Sequence, residues 1–529
     1  MSYQSSTRVN LSKKDPVFSG WYIDNVVNLD LPNQASPYLR NARLDGTSII
    51  IRPWHTLFSS LTAGSYPKGI ASYLRTTASN DRLIVRHNQD TNKKLVSIDS
   101  SGTATAISTS TDIASDNRMT FQNVGDVIYC MNGVDDFGKL SWTTYTTPNT
   151  GIADFSPSFS EVFNGSHFAS GWSDNPNIVY KSVADNYEDF NSSWSDQLTF
   201  KETITGLRAN DQALFYFTKN SISVTWVSDI QEIWGAISYI TRPLEVKEGA
   251  ANNACIVPAG VNIFYLTPSN KINMIARGAN LDGFESLPLS HRKYQGIDKI
   301  MATLDDDQSE GFAYFLPKQN LIKRHLKTID AAFNDICIIY DMNKDKFLVD
   351  TDKYFFDGVF HKGNNYTISM IEAKVFQDEY GQDDEDAPIP FEYWTKEFYL
   401  TDPTFKKIIR ESRTLLDINE LASLTQELWI DGEKQDEKTV DKSNLSANYA
   451  GIGTTPIGEE PIGEEWYPDV SDADSDMEEI YILRTKGNLN RIGKKFQFRY
   501  DNTTVGGKVR LKDLDIKTEV KPAIASNLT

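Results

Sequence analysis

The chain is 529 residues long, with 40% hydrophobic, 12% aromatic and 24% charged residues and a formal net charge of −19. That length exceeds one ordinary hydrophobic core, so several domains or a repeat architecture are expected, and the composition excludes wholesale disorder. The acidity, with a pI near 4.9, excludes a general basic footprint for wrapping nucleic acid and leaves room for a local basic patch only.

The N-terminal run "MSYQSSTRVNLSKKDPVF" has no apolar core of a secretory leader. No segment approaches the roughly 18 consecutive apolar residues of a membrane helix, so a soluble protein made in a cytosol is expected. Residues 1–80, with "SGWYIDNVVNLDLPNQASPYLRNARLDG", read as irregular chain with one short helix or turn, placed to close a ring.

Period-two alternation dominates residues 81–377. Apolar cores recur in "RLIVRH" (82–87), "DVIYCMNG" (126–133), "NIVYKS" (177–182), "QALFYFT" (212–218), "VNIFYLT" (261–267), "GFAYFLP" (311–317) and "NYTISMIEAKVF" (365–376). Their spacing, roughly 35 to 55 residues, matches propeller blades. Second strands follow across polar turns such as Lys219-Asn220 and Pro268-Ser269-Asn270, whose residue types preset or tolerate hairpin angles. The fold expected is all-β: a propeller of about six to seven blades, in which small sheets that cannot cover both faces alone pack around an axis. In "DNPNIVYKSVADNYEDF" (174–190), Ile178 to Tyr180 read as a blade strand and "SVADNYEDF" as the loop into the next blade.

Residues 378–529 read as a C-terminal β module. The acidic, turn-rich run "DEYGQDDEDAP" (378–387) marks the boundary, with Asp383, Asp384, Glu385 and Asp386 as a self-repelling exposed tip. Two β segments, 391–418 and 478–520, can pair as a small antiparallel sandwich. Between them an acidic insertion, 434–478, carries the tandem "PIGEE PIGEE" and reads as an exposed low-complexity loop.

Few residues point to chemistry. Cys130, Cys255 and Cys337 lie in apolar strand-like runs and read as reduced core thiols. The six histidines have no metal-ligand spacing, "GIGTTP" (451–456) lacks the strand and helix of a phosphate loop, and "DDFG" (135–138) reads as a hairpin turn. Asp472, Asp474 and Asp476 alternate as a calcium loop would, but Met477 stands where an EF-hand needs glycine, which favours a solvated loop. "SWSDQLTF" (193–200) is a poor copy of a sialidase Asp-box. No catalytic residue, metal or cofactor is expected. Basic residues do cluster at Lys396, Lys406, Lys407, Arg410 and Arg413, and at Arg484, Lys486, Arg491, Lys494, Lys495 and Arg499. Interleaved aromatics favour a docking face for an acidic neighbour over a strip of phosphate contacts.

The blades carrying "NPNIVYKSVADNYEDF" and "ITGLRANDQALFYFTKNSISVTW", the strand "WTKEFYLTDPTFKK" and the closing pair "IGKKFQFRY…KVRLKDLDI" together resemble the tail hub or nozzle proteins of short-tailed bacteriophages. That family includes the packaged-DNA stabilisation proteins, and the likeness spans about residues 80 to 518. The resemblance implies a structural virion protein and not an enzyme: a homohexameric ring that continues the DNA channel below the portal and adaptor. Such a ring retains packaged DNA until ejection, anchors tail fibres, spikes or a needle, and is assembled in the host cytoplasm. Its partners would be its own copies, the portal-adaptor complex and genomic DNA sliding past without sequence-specific contacts, with no membrane insertion. An acidic lumen would let phosphates slide. The alternatives are a carbohydrate-binding or carbohydrate-cleaving propeller, which would show a pocket with two carboxylates beside exposed aromatics, and a peptide-binding scaffold.

Overall fold

The computed structural model describes residues 6–520 except 11–21, 24–30, 32–34, 46–47, 63–65, 76–80, 90–91, 110–112, 143, 192–194, 228–238, 279–282, 293–295, 381–386, 399–406, 420, 442–480 and 487–491. Lys406, Arg491, the Asp383 to Asp386 run, "GIGTTP", the PIGEE tandem and Asp472, Asp474 and Asp476 therefore lie outside the described residues. The chain divides into two compact units, residues 56–345 with 351–378, and residues 1–55 with 346–350 and 379–529.

Seven of the sheets, over residues 55–378, form a seven-bladed β-propeller. Blade 1 is Gly69–Tyr73, Arg82–Gln89, Asn92–Ile98 and Ala104–Ala106. Blade 2 is Thr120–Val124, Val127–Met131, Gly138–Ser141 and Thr144–Thr146, with Ser108–Thr109 added in parallel at its outer edge. Blade 3 is Phe159–Phe163, Ser166–Ser170, Ile178–Lys181 and Asp196–Thr199, and blade 4 is Gly206–Ala209, Leu214–Phe217, Ile222–Val227 and Tyr239–Pro243. Blade 5 is Val257–Ala259, Asn262–Leu266, Ile272–Arg277 and Phe284–Pro288; blade 6 is Phe312–Leu316, Leu321–Leu326, Ile336–Asp341 and Lys346–Thr351. Blade 7 is Phe355–His361, Asn364–Ser369 and Lys374–Asp378, with His55–Ser60 as its outer strand. The first strands of successive blades touch in order, and that of blade 7 touches that of blade 1, so the ring is closed. Each apolar station in the sequence falls in a different blade.

Apolar layers between blades hold the ring, as the period-two pattern requires. Ile84, Leu95, Ile128 and Leu140 fill the layer between blades 1 and 2, and Phe215, Phe217, Ile263 and Tyr265 that between blades 4 and 5. Burying each such side chain contributes about 1.5–3 kcal/mol. The layer between blades 2 and 3 is aromatic, with Tyr129, Phe137, Phe155, Trp172, Tyr180 and Phe190. It shows what "SVADNYEDF" does. This stretch links the third and fourth strands of blade 3 and does not lead into the next blade, as the sequence suggested. It folds back through Val183 N–H to the Asp189 carbonyl (3.0 Å), turns at Asp185 (φ +59°) and drives Phe190 into the core. The hairpin turns keep the expected chemistry: Asn164-Gly165 and Lys362-Gly363 both have positive φ at their two positions, the geometry that matches strand twist. Cys130 and Cys337 are buried strand residues, whereas buried Cys255 ends a single 3-10 turn, Asn253–Cys255, capped by the Asn252 side chain.

The second unit is an antiparallel sandwich built from both ends of the chain. A seven-stranded sheet contains Ser6–Asn10, Ala42–Asp45, Ser48–Ile51, Lys407–Ile418, Tyr481–Lys486, Ile492–Gly493 and Val509–Val520. A five-stranded sheet contains Tyr38–Arg40, Phe391–Trp394, Phe496–Asn502, Ser423–Ile430 and Glu433–Asp441. Two sequence expectations are corrected here. Ser6–Asn10, Tyr38–Arg40, Ala42–Asp45 and Ser48–Ile51 are strands of the sandwich, whereas His55–Ser60 closes the ring and Gly69–Tyr73 opens blade 1, so the propeller begins near residue 55 and not at residue 81. The insertion begins later than 434, because Glu433–Asp441 pairs along Ser423–Ile430 through the turn Asp431-Gly432.

Candidate docking surface

Two groups of residues bear on function: the basic strip of the sandwich and the axis of the propeller. The strip is divided between the two sheets. Lys407, Arg410 and Arg413 lie in Lys407–Ile418, and Arg484 and Lys486 in its neighbour, with Arg413 opposite Arg484 and Glu411 opposite Lys486. Lys396, Lys494, Lys495 and Arg499 belong to the five-stranded sheet or its flanks. Three of these four are engaged internally. Lys396 donates to the Leu31 carbonyl at 3.0 Å, and Lys495 pairs with Glu397 at 3.4 Å. Arg499 stacks between the Trp394 and Trp429 rings, 3.5 Å from each centroid, and donates to Gln497 at 3.1 Å. Lys494 is exposed.

The Arg499 stack follows from register. Tyr38 pairs with Trp394, Trp394 with Arg499, and Arg499 with Glu427 two residues from Trp429, so alternate side chains share the outward face. Tyr38 continues the stack onto Trp394 at 4.6 Å. Each cation–π contact is worth about 0.5–2 kcal/mol, which fixes a flat, half-buried surface. Carboxylates border it. Burial, reinforced by Glu427, Glu392 and Glu437, pushes Asp501 up to about 6. The face is thus aromatic with mixed charge, which suits protein docking better than phosphate contact.

At the propeller axis, a set of charged residues that sequence reading missed braces the blades. Arg118, just before the first strand of blade 2, donates to the carbonyls of Phe356 (3.0 Å, blade 7) and Glu310 (2.7 Å, before blade 6). Its guanidinium lies 4.1 Å from the Phe356 ring centroid. A link from blade 2 past blade 1 to blades 7 and 6 spans the mouth of the axis. Arg208 similarly ties blade 4 to the Asn253 and Ile256 carbonyls before blade 5 (3.3 and 3.1 Å). Their partners Asp357 (3.8 Å from Arg118) and Glu161 (3.9 Å from Arg208) have carboxyls raised by burial, against which the arginines pull. Arg118→Ala is expected to lose about 2–3 kcal/mol, because two charge-assisted hydrogen bonds disappear together. Denaturant titration followed by tryptophan fluorescence measures it; a loss within error of zero would show that the brace carries no load. The only sequence signal was a charged residue within or just before an inner strand, too common a pattern to single out.

Among the described residues no group of three or more His, Cys, Asp or Glu side chains is arranged to hold a metal ion, and no helix is long and apolar enough to cross a membrane. No protein-family model matches the chain, and no curated protein matches it. Among solved structures it is similar to the β-propeller domain of Cps50 (Swd1) of Myceliophteria thermophila, at 7% identity over 61% of this chain and 98% of that one, with a TM-score of 0.38. It is also similar to the WD40 β-propeller domain of Doa1 (9% identity, 61% and 96% covered, TM-score 0.38) and to YCF48 bound to D1 peptide (12% identity, 60% and 94% covered, TM-score 0.37). At such values the fold rests on the sheet order itself.

Proposed function

We propose that this chain is a structural protein of a bacteriophage tail, one copy of a nozzle or hub ring that continues the portal-adaptor channel, retains packaged DNA and seats fibres or a needle. The observation that carries the reading is where the stretches resembling that family fall. They fall on the third strand of blade 3 and the link after it, on blade 4, on the chain that follows Trp394, and on Phe496–Asn502 and Val509–Val520, which do not pair with each other but belong one to each sandwich sheet. The closed propeller and the long-stranded sandwich supply rigid bodies, and the Arg499 face supplies a pre-formed docking surface. The Arg118 brace adds a constraint: any DNA conduit runs between copies and not along a propeller axis.

Electron microscopy with class averaging of the concentrated protein, together with light scattering, tests this. Sixfold rings with a central hole are the expected result, with Asp and Glu outnumbering Lys and Arg on the lumen wall. Single particles of monomer mass at every concentration would count against the ring, as would a lumen lined mainly by Lys and Arg.

A further inference from the structure

We propose that the layer between blades 5 and 6 holds one small monovalent inorganic anion, of halide size, against the guanidinium of Arg324. Arg324 lies in the second strand of blade 6, where register sets it between Ala313 and Ile338. Ile322 and Leu326, two positions away on the same face of that strand, are fully buried. Arg324 itself is 1% exposed, and among the described residues its side chain has no hydrogen bond and no ion pair. Nε and Nη2 are covered without meeting an acceptor. The two other arginines buried as deeply are tethered: Arg52 donates to Asn41 Oδ1 at 3.1 Å, and Arg86 to the Ser115 carbonyl at 2.9 Å.

Arg324 cannot shed its charge. Burial pulls the guanidinium down to about 10, which leaves it positive at neutral pH. The one titratable group that acts on it is the Cys255 thiol, which burial pushes up to about 11 and so keeps neutral. An enclosed cation without a counter-charge is among the costliest arrangements in a folded protein, so the partner comes from outside the chain. Donors and space fix its class. A guanidinium offers N–H groups and no acceptor, and in a low-dielectric interior its charge favours an anion over a neutral acceptor. Nη1 alone of the three nitrogens keeps accessible surface, which means room beside it for a particle about the size of a water molecule. A halide fits there, whereas phosphate, sulfate and organic carboxylates are too large. The inference rests on blades 5 and 6 alone and holds whether or not the chain forms a ring.

The test unfolds the full chain with urea at neutral pH in sodium gluconate, with chloride or bromide replacing gluconate at a constant ionic strength of about 0.2 M, so that screening does not change. An anion bound only by the folded state raises the folded-to-unfolded ratio; for a Kd of about 10 mM the rise is about tenfold between about 1 and 100 mM halide. Arg324→Met, which removes the charge and keeps an apolar stem, should lose this dependence. In gluconate it should be at least as stable as the parent, because a buried charge without a partner is gone. Should Arg324→Met fail to fold, anomalous diffraction from crystals of the parent grown in bromide decides, with a peak within hydrogen-bond reach of Nη1 expected. Indifference of the parent to halide, an equal response in parent and variant, or water alone beside Nη1 in the bromide crystals overturns the proposal.

Discussion

Asp378→Asn should destabilise the propeller by about 3–5 kcal/mol, the cost of leaving buried charge without its partner. Asp378 ends the third strand of blade 7, and its carboxylate, fully buried, binds two equally buried ammonium groups. Lys353 approaches Oδ1 at 2.7 Å, Lys323 and the Tyr314 hydroxyl approach Oδ2, the latter at 2.7 Å. Two cations share one carboxylate, so the substitutions are not equivalent. Removing the carboxylate takes a shared partner from both lysines at once, whereas Lys353→Met keeps the Lys323–Asp378 pair and should cost less than half as much. Hydrogen exchange read by mass spectrometry over blades 6 and 7 separates the two cases; equal losses would refute the charge argument. Burial alone would raise the Asp378 carboxyl, but the two ammonium groups overcome it and hold it well below its ordinary value. With a folded-state value below the unfolded one, the contribution is fully present above about pH 4 and fades as pH falls further. Blades 6 and 7 should lose protection first on acidification.

In the sandwich unit, Arg43→Met is expected to cost a similar amount, about 3–5 kcal/mol. The Arg43 guanidinium grips Asp350 with two hydrogen bonds of 2.8 and 2.7 Å and reaches Glu379 at 2.5 Å. Burial works against this charge, but Asp350 and Glu379 more than compensate and hold Arg43 well above its ordinary value. Without the fork both buried carboxylates lose the cation they share, which raises their proton affinity in the folded state. The deficit of the variant relative to the parent should therefore shrink as pH is lowered from about 7 toward 5, because protonation removes the unpaired charge. Parallel unfolding curves at several pH values provide the check, and a deficit that stays constant or widens on acidification would contradict it. Arg43→Lys should recover only part, since an ammonium cannot make the planar two-point contact.

These cases show where sequence reading worked. The blade stations were legible because a four-stranded blade must bury both faces of its central strands, which writes short apolar runs at a repeating interval. The turn chemistry was legible for the same local reason at Lys219-Asn220 and Asn270. Asp431-Gly432 carried an equally local signal for the strand Glu433–Asp441, but the acidic composition beyond it hid that signal. Composition is silent at the start of "DEYGQDDEDAP", where the Asp378 and Glu379 side chains are buried because lysines and an arginine distant in sequence meet them. The basic strip illustrates the same limit. Linear clustering placed Arg499 in a basic docking strip, but only strand register reveals the two tryptophans on either side of it. Long-range pairing, invisible to periodicity, decides the fate of each charge.

The order in which the sandwich is assembled sets its timing during synthesis. Ser6–Asn10 and Ser48–Ile51 are among the first strands to leave the ribosome, but both pair with Val509–Val520, roughly 460 residues or more downstream. At translation rates of about 5–20 residues per second, these strands wait from roughly twenty seconds to more than a minute for their partner. The whole propeller can be completed in that interval. The apolar Ile49-Ile50-Ile51 edge is meanwhile a nascent-chain liability, so slow elongation or early termination should convert this protein into aggregates that contain a finished propeller.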